Sequence, residues 1–235
     1  MANQPPLTAL GLMSGTSLDG IDAAVIISDG VKLIEARAVS SFPYDPVFRE
    51  DLRSCLGKRV EEPGVADVAE QLTSFHVKAV KQVLQDNNME ASDIDLVGFH
   101  GHTILHCPQD QLTVQIGDPA TLAKETGIRV IGDFRSNDMA EGGEGAPFAP
   151  LFHHAICNGL EKPLVVLNVG GVANVTWIGG GGTFEEPNIL AFDTGPGNAL
   201  IDDWVCSTTG CAMDEGGLLA NAGIVHYEIL DALLE

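Results

Sequence analysis

The sequence predicts an α/β protein built from two copies of one α/β unit, of which the second is incomplete. A strand, a polar turn and a second strand occur near Gly15 and again near Gly170, about 155 residues later. A long segment between them carries apolar residues at spacings of three and four, which is typical of an amphipathic helix. The 27 glycines gather at the ends of predicted strands. Strands that alternate with helices in this way favour an α/β fold.

The first copy opens with three strands joined by tight connections. Asp29-Gly30 is a hairpin dipeptide, and Gly127 is placed to end a helix. The glycine-, proline- and acid-rich segment Ser136–Pro150 predicts a loop. Strands are expected at Leu7–Met13, Ile21–Ser28, Val31–Ser40, Leu96–His100, Leu112–Ile116 and Arg129–Phe134, and helices at Val47–Leu56, Val65–Leu84, Pro119–Thr126 and Phe152–Asn158.

The opening pattern then returns in a second copy. We place the boundary near Leu160–Pro163, which gives domains 1–162 and 163–235. Strands are expected at Leu164–Val169, Val175–Ile178 and Ile189–Phe192, a glycine turn at Gly170–Asn174, and helices at Asn198–Thr208 and Leu218–Leu234.

Composition excludes several classes of function. Twelve basic against 33 acidic residues give a formal charge of −21, which disfavours binding to nucleic acid or to anionic membranes. The longest apolar runs, Ala23–Ile27 and Leu164–Leu167, are far shorter than the ~20 residues of a membrane span. No secretory signal is visible, and five scattered cysteines fit reduced thiols. We therefore expect a cytoplasmic protein.

The polar turn Ser14–Asp22 is a candidate phosphate site. Small residues let the backbone approach a ligand, and successive N–H groups and hydroxyls can hold phosphate oxygens. Asp19 and Asp22 could orient a metal ion or water. The alternative is an ordinary hairpin whose polar side chains bond their own backbone. The turn lacks the G-K-[ST] ending of a Walker A loop.

Two further motifs suggest chemistry in the second copy. Gly170-Gly171, followed by Asn174, is a second candidate phosphate turn, although glycine pairs often form only a tight turn. Asp193 is predicted at a strand end before a glycine turn. A carboxylate placed there in a cleft can act as a general base, and the alternative is a helix cap.

His100, His102 and Arg135 are the remaining candidates. His-x-His can bind metal, but no neighbouring cysteine or carboxylate cluster completes a zinc set, so polar substrate contacts or ordinary packing are favoured. Arg135 follows a predicted strand and could hold a carboxylate bidentately. The alternative is an ion pair with Asp133, Asp138 or Glu141.

Taken together, the motifs resemble the anhydro-N-acetylmuramic acid kinase family. The resemblance runs from about Leu10 to Trp204 and rests on seven ordered motifs. These are Gly11–Asp22, Phe99–Thr103, Gln115–Asp118, Gly132–Arg135, Gly142–Pro147, Leu167–Asn174 and Phe192–Asn198.

The resemblance implies a duplicated actin/hexokinase-like ATPase fold of the ribonuclease H-like type. It implies a kinase that opens the 1,6-anhydro ring of its amino sugar with water and phosphorylates O6 with ATP, with Mg²⁺ expected as cofactor, in peptidoglycan recycling. Asp193 is then the catalytic base. The ATP site is Gly15, Thr16, Ser17, Leu18, Asp19, Gly20, Ile21 and Asp22 with Gly170 and Gly171. We assign His100, Asp118, Arg135 and Asn174 to the sugar, with Arg135 on its lactyl carboxylate.

The chain departs from the family in length. Family members continue into a further glycine-rich motif at the adenosine pocket, so we expect a complete first lobe, an incomplete second lobe with exposed apolar faces, and weak ATP affinity. An inactive, sugar-binding remnant is the alternative to an active kinase. A glycoside hydrolase using Asp193 with Glu144 or Asp118 is disfavoured, because the Ser14–Gly20 loop would then have no purpose. The sequence leaves a homodimer open.

Overall fold

The computed structural model describes residues 5–15, 17–183 and 186–234. It is a mixed α/β protein. The strands are β1 (Leu7–Ser14), β2 (Gly20–Ser28), β3 (Leu33–Pro43), β4 (Leu96–Cys107), β5 (Leu112–Ile116), β6 (Val130–Ile131), β7 (Leu164–Val169), β8 (Val172–Ile178) and β9 (Ile189–Pro196). The helices are α1 (Pro46–Ser54), α2 (Val65–Asp86), α3 (Pro119–Thr126), α4 (Ser136–Ala140), α5 (Ala149–Ile156), α6 (Ala199–Thr209), α7 (Leu218–Ala222) and α8 (Tyr227–Leu234).

The chain divides into two compact units. The first comprises the residues up to Leu160 together with Gly182–Pro187, and the second comprises Glu161–Gly181 and Asn188–Glu235. The predicted domain limits at residues 162 and 163, and the duplication itself, stay predictions. Within the described residues, no helix is long and apolar enough to cross a membrane.

The first unit is built on a sheet with the strand order β3-β2-β1-β4-β5, and β6 pairs with β4. β1, β2 and β3 form an antiparallel meander, whereas β4 runs parallel to β1. In β1 and β2, buried residues alternate with more exposed ones, as expected when one face of a sheet meets a core. β4 is central, so residues on it can reach both the β1–β2 turn and β5.

Helix α2 supplies much of the core of the first unit. Its buried residues recur on one face from Val65 to Leu84, and they join β1, β2 and β4 in a single hydrophobic cluster. The spacing of three and four therefore predicted this helix correctly. Helices α1 and α3 begin at aspartates, Asp45 and Asp118, whose carboxylates accept backbone N–H groups, and each continues with a proline.

The second unit contains a three-stranded antiparallel sheet in the order β7-β8-β9, followed by α6, α7 and α8. Many of its apolar side chains are exposed, which agrees with the exposed apolar faces that the sequence predicted for this part of the chain. They include Leu167, Leu190, Phe192, Leu200, Trp204, Leu218 and Ile229.

Several predicted element limits were wrong. β4 extends past His100 to Cys107, and only Val130–Ile131 of the segment expected at Arg129–Phe134 forms a strand. The expected loop at Ser136–Pro150 contains α4 and the start of α5. The single helix expected at Leu218–Leu234 is interrupted at Gly223, whose backbone is extended.

Candidate functional site

The candidate phosphate loop connects two strands that pair along their length. β1 ends at Ser14 and β2 begins at Gly20, and Leu18 N–H donates to Gly15 O over 3.1 Å to form the turn. Gly20 is required because a Cβ there would collide with the backbone carbonyl of Phe42 on β3. Ser17 and Asp19 are exposed, and the Ser17 hydroxyl donates to Asp19 Oδ1 over 2.6 Å. The turn thus presents the side chains of Ser17 and Asp19 to solvent.

The other predicted ATP residues of this turn divide into two kinds. The side chains of Leu18 and Ile21 are buried in the core, so only their backbone can reach a ligand. Leu18 has a positive φ of 57°, an uncommon conformation for a non-glycine residue, and its buried side chain anchors it in the core. Asp22 is exposed, and its Oδ1 accepts from the Ser41 hydroxyl at 2.5 Å. Thr16 lies outside the described residues.

A cavity of about 370 Å³ opens beside β4 and β5 in the first unit. This volume is within the range of small-molecule sites. Its polar lining comes from His100, Thr113, Gln115, Asp133 and Ser136, and its apolar lining includes Phe99 and Ile116. Gly101 has a φ of 69°, and a Cβ there would lie 2.5 Å from Ile116 O. This glycine allows β4 and β5 to meet closely at the cavity.

Arg135 is fixed against His100 at this cavity. Its Nε and Nη2 lie 3.1 and 2.9 Å from His100 Nε2, and its Nη1 donates to Gly145 O over 2.8 Å. Burial, and to a smaller extent the guanidinium, lowers the pKa of His100. His100 is therefore neutral at pH 7. Its Nδ1 is directed at Gly101 O, and its Nε2 accepts from the guanidinium of Arg135.

Arg135 has no carboxylate partner among the described residues. The ion pairs within that part of the chain are Arg37–Glu35 and Arg53–Glu50, so the expected alternative of a pair with Asp133, Asp138 or Glu141 was wrong. Asp138 instead accepts from Gly145 N at 2.8 Å, which folds the glycine-rich segment back toward Arg135. A terminal N–H on each side of the guanidinium remains unused.

Asp118, predicted to contact the sugar, serves another purpose in the structure. Its carboxylate caps α3, accepting from Ala120 N, Thr121 N and the Thr121 hydroxyl at 2.9, 3.1 and 2.5 Å. The Thr121 hydroxyl and the Ala120 N–H are the main reasons that the pKa of Asp118 is lowered. It lines a second cavity, of about 310 Å³, together with Glu70 and Thr73. Its role in sugar binding stays a prediction that competes with this cap.

In the second unit the glycine turn is held against the start of α6. Gly197 N and Asn198 N donate to Gly171 O and Gly170 O over 2.9 and 2.8 Å. A Cβ on Gly197 would collide with Gly170 O, so glycine is required there. The turn is shorter than expected, because β8 already begins at Val172 and Asn174 lies within that strand.

Asp193 and Asn174 are brought together by strand pairing. They are direct partners in the β8–β9 register, so their side chains lie on the same face of the sheet. Asp193 lies inside β9 rather than at its end, and it is exposed. The helix-cap alternative was wrong, since α6 begins only at Ala199. The second unit therefore collects Gly170, Gly171, Asn174 and Asp193, whereas the loop, His100 and Arg135 belong to the first.

Sequence reasoning missed part of the cavity lining and a buried polar group. Gln115, Asp133 and Ser136 line the cavity but were not assigned a role. Asp133 has a positive φ of 53° and accepts from the Ser136 hydroxyl at 2.5 Å. A buried chain of Tyr44, Ser14 and His102 lies below the phosphate loop. In the sequence, the only sign of these positions was the presence of polar residues near the ends of predicted strands.

Comparison with known proteins identifies relatives over nearly the whole chain. A family model described as anhydro-N-acetylmuramic acid kinase matches residues 7–235. Proteins of that name from Rhizorhabdus wittichii and Paramagnetospirillum magneticum are each 47% identical over 97% of this chain. One from Agrobacterium fabrum is 46% identical over 97% of the chain. The chain spans only 62–63% of the length of these curated relatives.

Proposed function

The chain belongs to the anhydro-N-acetylmuramic acid kinase family, and on that premise we propose that it carries the sugar and phosphate sites of such a kinase. The proposed reaction consumes ATP, water and 1,6-anhydro-N-acetylmuramic acid, and yields ADP and N-acetylmuramic acid 6-phosphate. The proposed fold is the duplicated actin/hexokinase-like ATPase fold.

The observation that carries the proposed sugar site is the guanidinium of Arg135. In a chain with a net charge of −21, this half-buried cation lacks a carboxylate among the described residues. His100 and Gly145 O hold it in one orientation beside the 370 Å³ cavity that His100 lines. A cation that is desolvated, oriented and left without an acid suits an anionic ligand group. The lactyl carboxylate of the proposed sugar is such a group.

The loop between β1 and β2 supports the ATP assignment. Its backbone is held by the turn at Leu18 and by the close approach of Gly20 to β3, while the side chains of Ser17 and Asp19 face solvent. Asp19 and Asp22 offer carboxylate oxygens, the ligands that Mg²⁺ prefers when phosphates and water complete its coordination. A bound Mg²⁺ would neutralise charge on the phosphates during transfer.

Asp193 is the proposed base for ring opening. Its carboxylate takes a proton from the water that attacks C1, and the C1–O6 bond breaks. The released O6 then attacks the γ-phosphorus of ATP, whose bond to the bridging oxygen of ADP breaks. Asn174, its cross-strand partner on the same face, is placed to orient the water or the sugar. Charge that develops on the phosphates requires backbone N–H donors such as those of the two glycine-containing turns.

A second candidate is a protein that binds the sugar without transferring phosphate. The exposed apolar side chains on β7, β9 and α6 favour it, because apolar surface of this extent is normally covered in a finished domain. In the first unit, by contrast, the 370 Å³ cavity is present and hydrogen bonds hold Arg135 in place beside it.

One experiment separates the two. The purified 235-residue chain is titrated calorimetrically with 1,6-anhydro-N-acetylmuramic acid and, separately, incubated with the sugar, ATP and Mg²⁺ while sugar 6-phosphate is measured. Sugar binding with phosphate transfer supports the kinase. Binding without transfer supports the second candidate, and the lack of both contradicts the sugar assignment. An analogue without the lactyl group is the control for the carboxylate contact.

A further inference from the structure

Three buried polar side chains form a hydrogen-bonded chain directly below the phosphate loop. The Tyr44 hydroxyl donates to Ser14 Oγ over 2.8 Å, and Ser14 Oγ lies 2.9 Å from His102 Nδ1. The relative exposures of Ser14, Tyr44 and His102 are 2%, 5% and 0%. Burying polar groups costs free energy unless they bond one another, so such a chain fixes its members strongly.

The protonation of this chain follows from its contacts. Burial raises the pKa of Tyr44 to about 12 and lowers that of His102 to about 4, so at pH 7 the phenol is protonated and the imidazole is neutral. Because Tyr44 donates to Ser14, the Ser14 proton is available for His102 Nδ1. The imidazole proton then lies on Nε2, which has no partner within the described residues.

Tyr44 holds the phosphate loop at both of its ends. Its hydroxyl bonds Ser14, the last residue before the loop, and its backbone N–H donates to Asp19 O over 3.0 Å. Phe48 and Phe75 pack against the Tyr44 ring with centroids 4.9 and 5.6 Å away. The ring is thus anchored in the core, while Ser17, which lies between the two contacts in sequence, is exposed.

The glycine turn of the second unit shows that such a chain is not needed to form a turn. That turn is held by backbone N–H groups of Gly197, Asn198 and Ala199, which donate to Gly170 O and Gly171 O. The first loop adds a tyrosine, a serine and a histidine drawn from positions 30 and 88 residues apart in sequence. The pairing of β1 with β2 is already secured by the bonds between the two strands. The three side chains therefore act mainly on the conformation of the loop.

We propose that Tyr44, Ser14 and His102 are positioning residues that hold the 15–20 loop in the conformation that receives the phosphates of ATP. This role rests on the proposed function, since it assumes that the loop binds phosphate. None of the three needs to touch the nucleotide. The chain acts through Ser14 on the start of the loop and through the Tyr44 backbone on its end.

The test measures nucleotide and sugar affinity separately in the 235-residue chain. Tyr44→Phe keeps the packed ring and removes only the hydroxyl, whereas Ser14→Ala removes the centre of the chain. Loss of one such hydrogen bond should weaken binding of ATP with Mg²⁺ by about three- to tenfold. It should also speed amide hydrogen exchange in residues 15–20 and leave sugar affinity unchanged. In the Ser14→Ala background, Tyr44→Phe should have no further effect on ATP affinity.

Two matched variants control for general effects. Tyr227→Phe makes the same chemical change at the other tyrosine of the chain, which is exposed in the second unit. Val83→Ala destabilises the core of the first unit away from the loop. Equal loss of ATP affinity in Val83→Ala, or none in both Tyr44→Phe and Ser14→Ala, would overturn the positioning role while the proposed function stands. A wild-type chain that binds no ATP would overturn the proposed function, and the positioning role with it.

Discussion

In the first unit, Leu10 and Leu12 of β1 are buried in the core that α2 shares, whereas Leu167 of β7 in the second unit is 61% exposed. The two strands have similar apolar sequences, and each opens an antiparallel meander of three strands. The difference lies in what packs on them. α2, with its long buried face, joins the first core, and the second unit offers no comparable helix within the described residues.

This contrast separates the formation of a strand from its burial. Apolar β-branched residues and strand pairing suffice for β7, β8 and β9 to form, because their backbone bonds are satisfied by one another. Burial requires a second layer of structure. We therefore expect stability to reside mainly in the first unit, and the candidate base Asp193 to lie on the less stable one.

Hydrogen exchange should give the largest difference between the units. The slowest amides of α2 open only with the whole first unit and should exchange at least about 10⁴-fold more slowly than those of α8. We expect protection across Val65–Leu84 and Leu96–Phe134 and little beyond about Thr208. Uniform protection up to residue 234 in a monomeric sample would break the comparison.

Asp193→Asn should separate chemistry from affinity. The change keeps the shape of the side chain and removes the base, so phosphate transfer by an active preparation should fall by about 10²–10⁴-fold. Sugar affinity should be largely retained, because asparagine keeps the shape of the side chain and the proposed contact of Arg135 with the lactyl carboxylate is unchanged. Asp203→Asn, an exposed change in α6 of the same unit, is the control. Near-normal turnover in Asp193→Asn would assign the base to another residue, with Asp19 the next candidate.

A pair of leucine substitutions tests burial directly. Leu72→Ala, at a fully buried position of α2, should cost about 3 kcal/mol of unfolding free energy, whereas Leu167→Ala should cost less than about 0.5 kcal/mol. Circular dichroism during urea unfolding measures both. Trp177 and Trp204 lie in the second unit, so tryptophan fluorescence reports that unit separately. Equal costs at the two sites would show that β7 is covered in solution.

Arg135→Ala should weaken sugar binding without affecting the second unit. Loss of the charge-assisted contact to the lactyl carboxylate should cost about 1.5–3 kcal/mol of binding free energy, which calorimetry can measure. Arg129→Ala removes an exposed arginine of the same unit and should leave affinity unchanged. If an analogue without the lactyl group loses as much affinity, Arg135 has a structural role only.

Acidification should destabilise the first unit selectively. Burial lowers the pKa of both His76 and His102 to about 4, against a usual value of 6.5. The unfolded chain therefore takes up protons below pH 6.5 while the folded imidazoles stay neutral, and stability is lost as the pH falls from 6.5 toward 4. Between pH 7.5 and pH 5 the loss should be about 2 kcal/mol per histidine. His76→Gln should reduce this pH dependence of stability, as measured by hydrogen exchange in α2. The same substitution at the exposed His226 should leave it unchanged.

The sequence could predict elements whose signal is local. Helix α2 was predicted because its apolar periodicity continues over many turns. The approximate starting residues of β1 and β2 follow from their apolar runs. β4 extends beyond the predicted limit at His100, because the positive φ of Gly101 is accommodated within the strand. The interruption at Gly223 could not be foreseen, since apolar residues continue on both sides of it.

The site was harder to predict than the fold because its contacts are distant in sequence. His100 and Arg135 are 35 residues apart, and Ser14 and His102 are 88 apart. Motifs identified these residues one at a time, but only the folded chain shows that Arg135 bonds His100 rather than a carboxylate. The capping role of Asp118 was not foreseen either, although a following proline is typical of helix starts.

The strands at the two edges of the β7-β8-β9 sheet have consequences for handling the protein. Within the described residues, β7 and β9 each pair with β8 alone, so each has an outer edge with backbone donors and acceptors beside exposed apolar side chains, an arrangement that favours edge-to-edge aggregation. The charge of −21 opposes this, because like-charged molecules repel one another. At 1 M salt the screening length falls to about 3 Å and that repulsion is lost. Ionic strength should thus govern shelf life, and dilute, low-salt buffers should keep the chain dispersed.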